Sequence, residues 1–208
     1  MTFYNLNTIS HLGVKTVAKR KIPDILTEME QKALLEQPNP RYPTGERNKV
    51  MIKLMLDTGL RISEVIELKW RNINLMSGKI KVVEGKGAKD RVVWVNGKAL
   101  DMLQNWKERQ VEEIGECERV FTTLEGNKVQ GNYIRSMVKR YVNKANIDKD
   151  ISPHNLRHTF ASDFLRECNN LRKVQKALGH ADISTTQIYT HIVDEELENS
   201  MKSFRQEK

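Results

Sequence analysis

Two neighbouring stretches of this chain carry the β-branched composition of strands. They are Lys79-Ile80-Lys81-Val82-Val83 and Arg91-Val92-Val93-Trp94-Val95, joined by Gly85-Lys86-Gly87-Ala88-Lys89. Short β-branched runs flanking a glycine-rich connection read as an antiparallel hairpin. The signals on either side are helical. Thr27-Glu28-Met29-Glu30 is a capping box, with Ile25 or Leu26 placed to staple it. PNPRYPTG, residues 38–45, reads as a loop, and a buried helix is expected from about Arg47 to Thr58, closed by Gly59 in the left-handed position. Ser63 is expected to cap a short second helix, SEVIELKW. Beyond Asn96 further helices are expected at about 98–113, 130–146, 153–168, 171–178, 185–191 and 194–204. The predicted fold is therefore mostly α (α+β), with one small antiparallel β-sheet.

Composition and charge narrow the partners. With 38% hydrophobic and 30% charged residues, the 208-residue chain suits a globular protein with one sizeable core. The longest apolar stretch, residues 50–56, is broken by Lys53, far short of the roughly 20 residues that span a bilayer. MTFYNLNTISHLG lacks the basic and apolar regions of a secretory signal. Cys117 and Cys168 have no CxxC partner, which points to a reducing compartment rather than a disulfide framework or a zinc site. A cytoplasmic protein without a membrane partner is the expectation. The net charge of +8 comes from the first hundred residues, with eight basic against five acidic residues in 1–50 and ten against five in 51–100. Residues 126–147 add a local excess: Lys128, Arg135, Lys139, Arg140 and Lys144, and no acid. Such surfaces favour a polyanion, because phosphate contacts release condensed counterions; a merely well-solvated basic surface fits as well.

Several segments place reactive side chains at defined points. In Ser152-Pro153-His154-Asn155-Leu156-Arg157-His158, Ser caps a helix and Pro takes its first position. His154, Arg157 and His158 then fall at i, i+3 and i+4 on one face. A His-Arg face at a helix N-terminus suits a phosphate, and also suits a hydrogen-bonded surface patch. Ala177-Leu178-Gly179-His180 closes the next helix at a sharp turn, and Ser184-Thr185-Thr186-Gln187 starts another that carries Tyr189. Arg61 stands between two helices in Thr58-Gly59-Leu60-Arg61-Ile62-Ser63-Glu64. Gly85-Lys86-Gly87 is no P-loop, since it joins two strands, and Asn155 replaces the glutamate of HExxH. No metal or nucleotide cofactor is expected.

In order, Arg61, Lys86, His154-x-x-Arg157, Leu178-Gly179-His180 and Tyr189 resemble the signature of the tyrosine site-specific recombinase (phage integrase) family. The flanking words TGLRISE, GKGAKDR, HNLRHTFAS and LGHADISTTQIYTH resemble it too, over residues 23–191 or so. The resemblance implies a site-specific recombinase that cuts and rejoins double-stranded DNA through a covalent 3′-phosphotyrosyl bond. Tyr189 would be the nucleophile. Arg61 and Arg157 would clamp the non-bridging oxygens, and His180 would donate to one of them. His154 would bind the phosphate or take the tyrosine proton, and Lys86 would protonate the departing 5′-oxygen. Glu64, one turn after Arg61, would orient a basic residue of the site. The chemistry is consistent: a phenol of pKa about 10 needs help to ionise, and guanidiniums stay charged at any working pH.

The expected organisation is an arm or linker over 1–22, the catalytic domain over 23–193, and a tail helix over 194–208 that docks on a neighbouring subunit or on its own core. A homotetramer on paired DNA sites, monomeric in free solution, is the expected assembly. Most members of the family carry a further helical DNA-binding domain ahead of the catalytic one. The short arm here fits a naturally short recombinase, a remnant of a mobile element or an excised domain. A type IB topoisomerase shares the same constellation, and a binding-only protein would share the fold; the intact set of six residues argues against the latter.

Overall fold

The computed structural model describes residues 23–83 and 90–179, together with Lys202. Helices α1 (Glu28–Glu36), α2 (Pro43–Thr58) and α3 (Ile62–Glu67) come first. A single 3₁₀ turn, Trp70–Asn72, leads into strands β1 (Ile73–Asn74), β2 (Lys79–Val82) and β3 (Arg91–Trp94). Helices α4 (Gly97–Ile114), α5 (Gly131–Lys144), α6 (Pro153–Cys168) and α7 (Leu171–Leu178) follow. The three strands form one antiparallel sheet in the order β1-β2-β3, with Ile80 opposite Val93 and Val82 opposite Arg91. The mostly helical fold with a small antiparallel sheet matches the expectation.

Three local expectations need correction. Helix α2 begins at Pro43, so the last three residues of the expected 38–45 loop are helix. Proline at the first position loses no intrahelical hydrogen bond, and its fixed φ suits the first turn. Helix α3 begins at Ile62 and is capped by Arg61, not Ser63, because the Glu64 carboxylate reaches back to the Arg61 N–H at 2.7 Å. The sheet has a third strand, β1, too short to announce itself by alternation. The capping box at Thr27 forms as expected, with Thr27 and Glu30 each accepting the other's backbone N–H. The expected helices at 185–191 and 194–204 lie outside the described residues, Lys202 excepted.

Helix α2 runs through the centre. Val50, Met51, Ile52, Leu54, Met55 and Leu56 are all buried, and Lys53 is accommodated by Asp57 one turn on, at 2.6 Å. It packs against α4, which contributes Leu103 and Trp106, and against α6. The inward sides of the sheet, Ile80, Val82 and Val93, close the same core. Each such side chain contributes about 1.5–3 kcal/mol by leaving water. A smaller cluster, Ala161, Leu165, Val174 and Leu178, fastens α7 onto α6. The segment before α1 is pinned to α6 by the Leu26 N–H on Thr159 Oγ1 at 3.0 Å, and Gln31 reaches Asp163 at 2.8 Å.

Candidate active site

The site begins where α2 ends. Gly59 has φ +62°, and a Cβ there would stand 2.4 Å from Cδ1 of Phe160 and 2.9 Å from Cδ2 of Leu178. Only glycine lets α2 stop this close to both α6 and α7. The chain turns through buried Leu60 and delivers Arg61 as the cap of α3. The Arg61 side chain is 35% exposed, and its Nη1 donates to Glu64 Oε1 at 2.9 Å.

Glu64 also takes a second arginine. Arg91, at the start of β3, donates from Nη1 to Oε1 and from Nη2 to Oε2, both at 2.7 Å. Burial pushes the Glu64 carboxyl up, but the two Arg91 hydrogen bonds, the Arg91 charge, the Arg61 N–H and the Arg61 charge outweigh it, leaving the pKa at about 2. Glu64 is a carboxylate at any working pH.

Arg157 approaches from α6. Its Nη1 donates to the Gly59 carbonyl at 2.5 Å and its Nη2 to the Leu178 carbonyl at 2.7 Å. One guanidinium therefore joins the C-terminal ends of α2 and α7, two residues before Arg61 and two before His180. It is 6% exposed. His154, in the first turn of α6, is exposed, and His158 is half-buried. Burial, then the charges of His154 and Arg157, hold the His158 pKa below its ordinary 6.5. The α6 N-terminus is set by Ser152 and Asn155, whose Oδ1 accepts the Ser152 N–H at 3.0 Å and its hydroxyl at 2.6 Å.

The structure thus brings Arg61 and Arg157 together through the Gly59 turn, with His154 one turn before Arg157 on the same helix. Lys86, His180 and Tyr189 lie outside the described residues, as do residues 84–89 and the chain beyond Gly179 apart from Lys202. Their flanks converge, however. Strand β3 packs on α7, and Arg91 Nε donates to the Ala177 carbonyl at 2.9 Å.

Sequence reasoning missed two arrangements. The first is Arg91. Alternation along β3 puts it on the same side as buried Val93, and a charge on a core-facing side needs a partner, so the signal was there. The second is a buried polar network. Arg47 donates to the Thr122 carbonyl at 2.7 Å and to the Tyr133 hydroxyl at 2.6 Å, while Asn48 serves Arg47, Tyr133 and Tyr141. The hydroxyls of Tyr133 and Tyr141 are thereby committed to the fold. The basic stretch on α5 presents Arg135, Lys139, Arg140 and Lys144 to solvent. Among the described residues no group of three or more His, Cys, Asp or Glu is placed to hold a metal ion, and no helix is long and apolar enough to cross a membrane.

The pattern of the phage integrase family matches residues 24–196. The chain is 40% identical over 180 residues to a tyrosine recombinase XerD of Ralstonia nicotianae, covering 85% of this chain and 58% of that one. A tyrosine recombinase XerD of Staphylococcus saprophyticus is 38% identical over 188 residues, covering 89% and 63%. The crystal structure of XerA recombinase superposes with a TM-score of 0.77 at 31% identity, over 90% of this chain and 67% of that one. The XerH site-specific recombinase bound to a palindromic difH substrate, a post-cleavage complex, gives 0.76 at 28% identity, over 99% and 60%. The chain belongs to the phage integrase family. It spans about three fifths of the length of the curated relatives it matches.

Proposed function

We propose that this chain is the catalytic domain of a site-specific DNA recombinase that cuts and rejoins duplex DNA through Tyr189. The observation that carries the reading is the Arg157 bridge. It gathers the turn that holds Arg61 and the helix end that leads to His180 around one buried cation. In the proposed reaction the Tyr189 oxygen attacks phosphorus and forms the 3′-phosphotyrosyl ester, and the bond to the 5′-oxygen breaks. His154 takes the tyrosine proton or binds the phosphate, and Lys86 gives a proton to the leaving 5′-oxygen. Arg61 and Arg157 neutralise the charge that grows on the non-bridging oxygens, with His180 donating to one of them. A DNA 5′-hydroxyl then reverses the step on a new partner. The ester conserves the bond energy, so the chemistry calls for no nucleotide.

Duplex DNA as the partner draws support from the net charge of +8 and the exposed basic face of α5. A relative of this fold has been solved on its difH substrate. Paired sites held by four subunits are the proposed assembly. The choice of Tyr189 gains support from Tyr133 and Tyr141, whose hydroxyls are engaged elsewhere.

The test is a covalent trap. The protein is incubated with fragmented genomic DNA of its host and quenched in detergent, and the DNA that stays attached is sequenced. A nicked duplex carrying that sequence should then give a protein–DNA band through a 3′-phosphate. Tyr189→Phe should abolish the band while retaining DNA in a binding assay. A Phe variant that still forms the adduct would remove Tyr189 from the role.

A further inference from the structure

The geometry points to Arg91 as a positioning residue that locks the three parts of the active site to one another. This inference rests on the catalytic reading above, since it concerns how those groups are held. Among the described residues Arg91 makes three hydrogen bonds with one guanidinium. Two go to both oxygens of Glu64, and the third, from Nε, goes to the Ala177 carbonyl. Each partner leads to a different reactive group. Glu64 holds the Arg61 side chain through Oε1 and the Arg61 backbone through Oε2. Ala177 stands three residues before His180 on the last turn of α7. Arg91 itself opens β3, five residues after Lys86, on the returning side of the hairpin.

The arrangement is stiff for physical reasons. A fork-to-fork pair between guanidinium and carboxylate fixes both planes, whereas a lysine could meet the carboxylate only as a point charge. Arg91 and Glu64 side chains are 6% and 7% exposed, so water scarcely competes for these bonds. Without Arg91, Glu64 would keep its bonds to Arg61 and lose two of its four. The α7 carbonyl would lose its donor. Nothing in this set requires Arg91 to touch DNA. It acts through Glu64, through strand β3 and through the end of α7.

The experiment separates binding from the cleavage step. Arg91→Ala and Arg91→Lys are compared with the parent for affinity to the recovered duplex and for the single-turnover rate of adduct formation. Affinity should stay near the parent's, while a displacement of about 1 Å slows adduct formation of Arg91→Ala by about 100-fold. Arg91→Lys should recover only a minor part of that rate. Because Arg91→Ala leaves a buried carboxylate short of partners, the neutral pair Arg91→Met with Glu64→Gln guards against simple unfolding. Since Glu64 itself holds Arg61, the pair is read against Glu64→Gln alone: a purely structural role predicts that the folded pair cleaves like Glu64→Gln, and a positioning role predicts that it is slower. A folded Arg91→Ala that cleaves at the parental rate, or a folded neutral pair that cleaves like Glu64→Gln, overturns the inference alone. A parent with no Tyr189-dependent adduct overturns the catalytic reading and the inference with it.

Discussion

Arg157 occupies a position that a lysine cannot fill. Its two terminal nitrogens meet carbonyls at the ends of α2 and α7, where unpaired C=O groups and the helix dipoles concentrate negative potential. That environment makes a buried cation tolerable without a carboxylate among these two contacts. A lysine ammonium carries its three donors on a single nitrogen and lacks the two-pronged reach of the fork, and a carbonyl left buried and bare costs about 1–3 kcal/mol. Arg157→Lys should therefore lower the melting temperature and also slow adduct formation by roughly 100-fold, because the Arg61 turn is no longer tied to the His180 turn. Parallel thermal melts and cleavage assays decide it; a lysine variant matching the parent in both would remove Arg157 from the bridge. The sequence made the shared face of His154, Arg157 and His158 legible, since i, i+3 and i+4 spacing is local. It did not reveal depth. Arg157 is buried and His154 exposed because of carbonyls that are 98 and 21 residues away from Arg157 along the chain. Glu64 was expected to orient a basic residue of the site, but its paired bonds to Arg91 were not legible, because they depend on where β3 returns.

At the scale of elements, the expected helices 153–168 and 171–178 coincide with α6 and α7, since both carry caps written in the sequence: Ser152 with Pro153, and Gly179 in the left-handed conformation at φ +68°. The ends of α4 and α5 drifted by one or two residues. The expected 130–146 helix spans Gly131–Lys144, and the expected 98–113 helix spans Gly97–Ile114. The hairpin is the element with the clearest chemical prediction. Its base is closed by the β2–β3 ladder and by Lys81 on Asp90 at 2.9 Å, which holds the connection carrying Lys86 between two fixed strands. If Lys86 protonates the leaving 5′-oxygen, Lys86→Ala should cleave an ordinary duplex very slowly. A duplex with sulfur as the bridging 5′ atom should be cut nearly as fast as by the parent, because a thiolate leaves without a proton. Arg157→Ala should stay slow on both. Failure of sulfur to rescue Lys86→Ala would leave Lys86 as a phosphate contact.

The whole molecule answers to pH through groups whose protonation differs between the folded and unfolded chain. Burial, His154 and Arg157 hold the His158 pKa below 6.5, so on acidification the unfolded chain takes up this proton first. Stability from this group is present above pH 6.5 and falls as pH drops below it. Glu64 has the same sign but a lower window. Its pKa falls from 4.5 to about 2 in the fold, so its contribution is present above about pH 4.5 and is lost towards pH 2. Asp57, Asp163 and Glu46 work in the opposite direction. Burial raises all three, so the folded state binds their protons more readily and acidification relieves a strain there. The two destabilising limbs are therefore separate: His158 acts near neutrality, and Glu64 acts below it. Melting temperatures measured from about pH 7.5 down to about pH 5.5 should decline in the parent, and His158→Gln, which cannot take up the proton, should flatten that limb. The steep loss at lower pH should remain in His158→Gln, because Glu64 is untouched. An unchanged slope near neutrality in that variant would assign the limb to a different histidine and sever it from the buried face of α6.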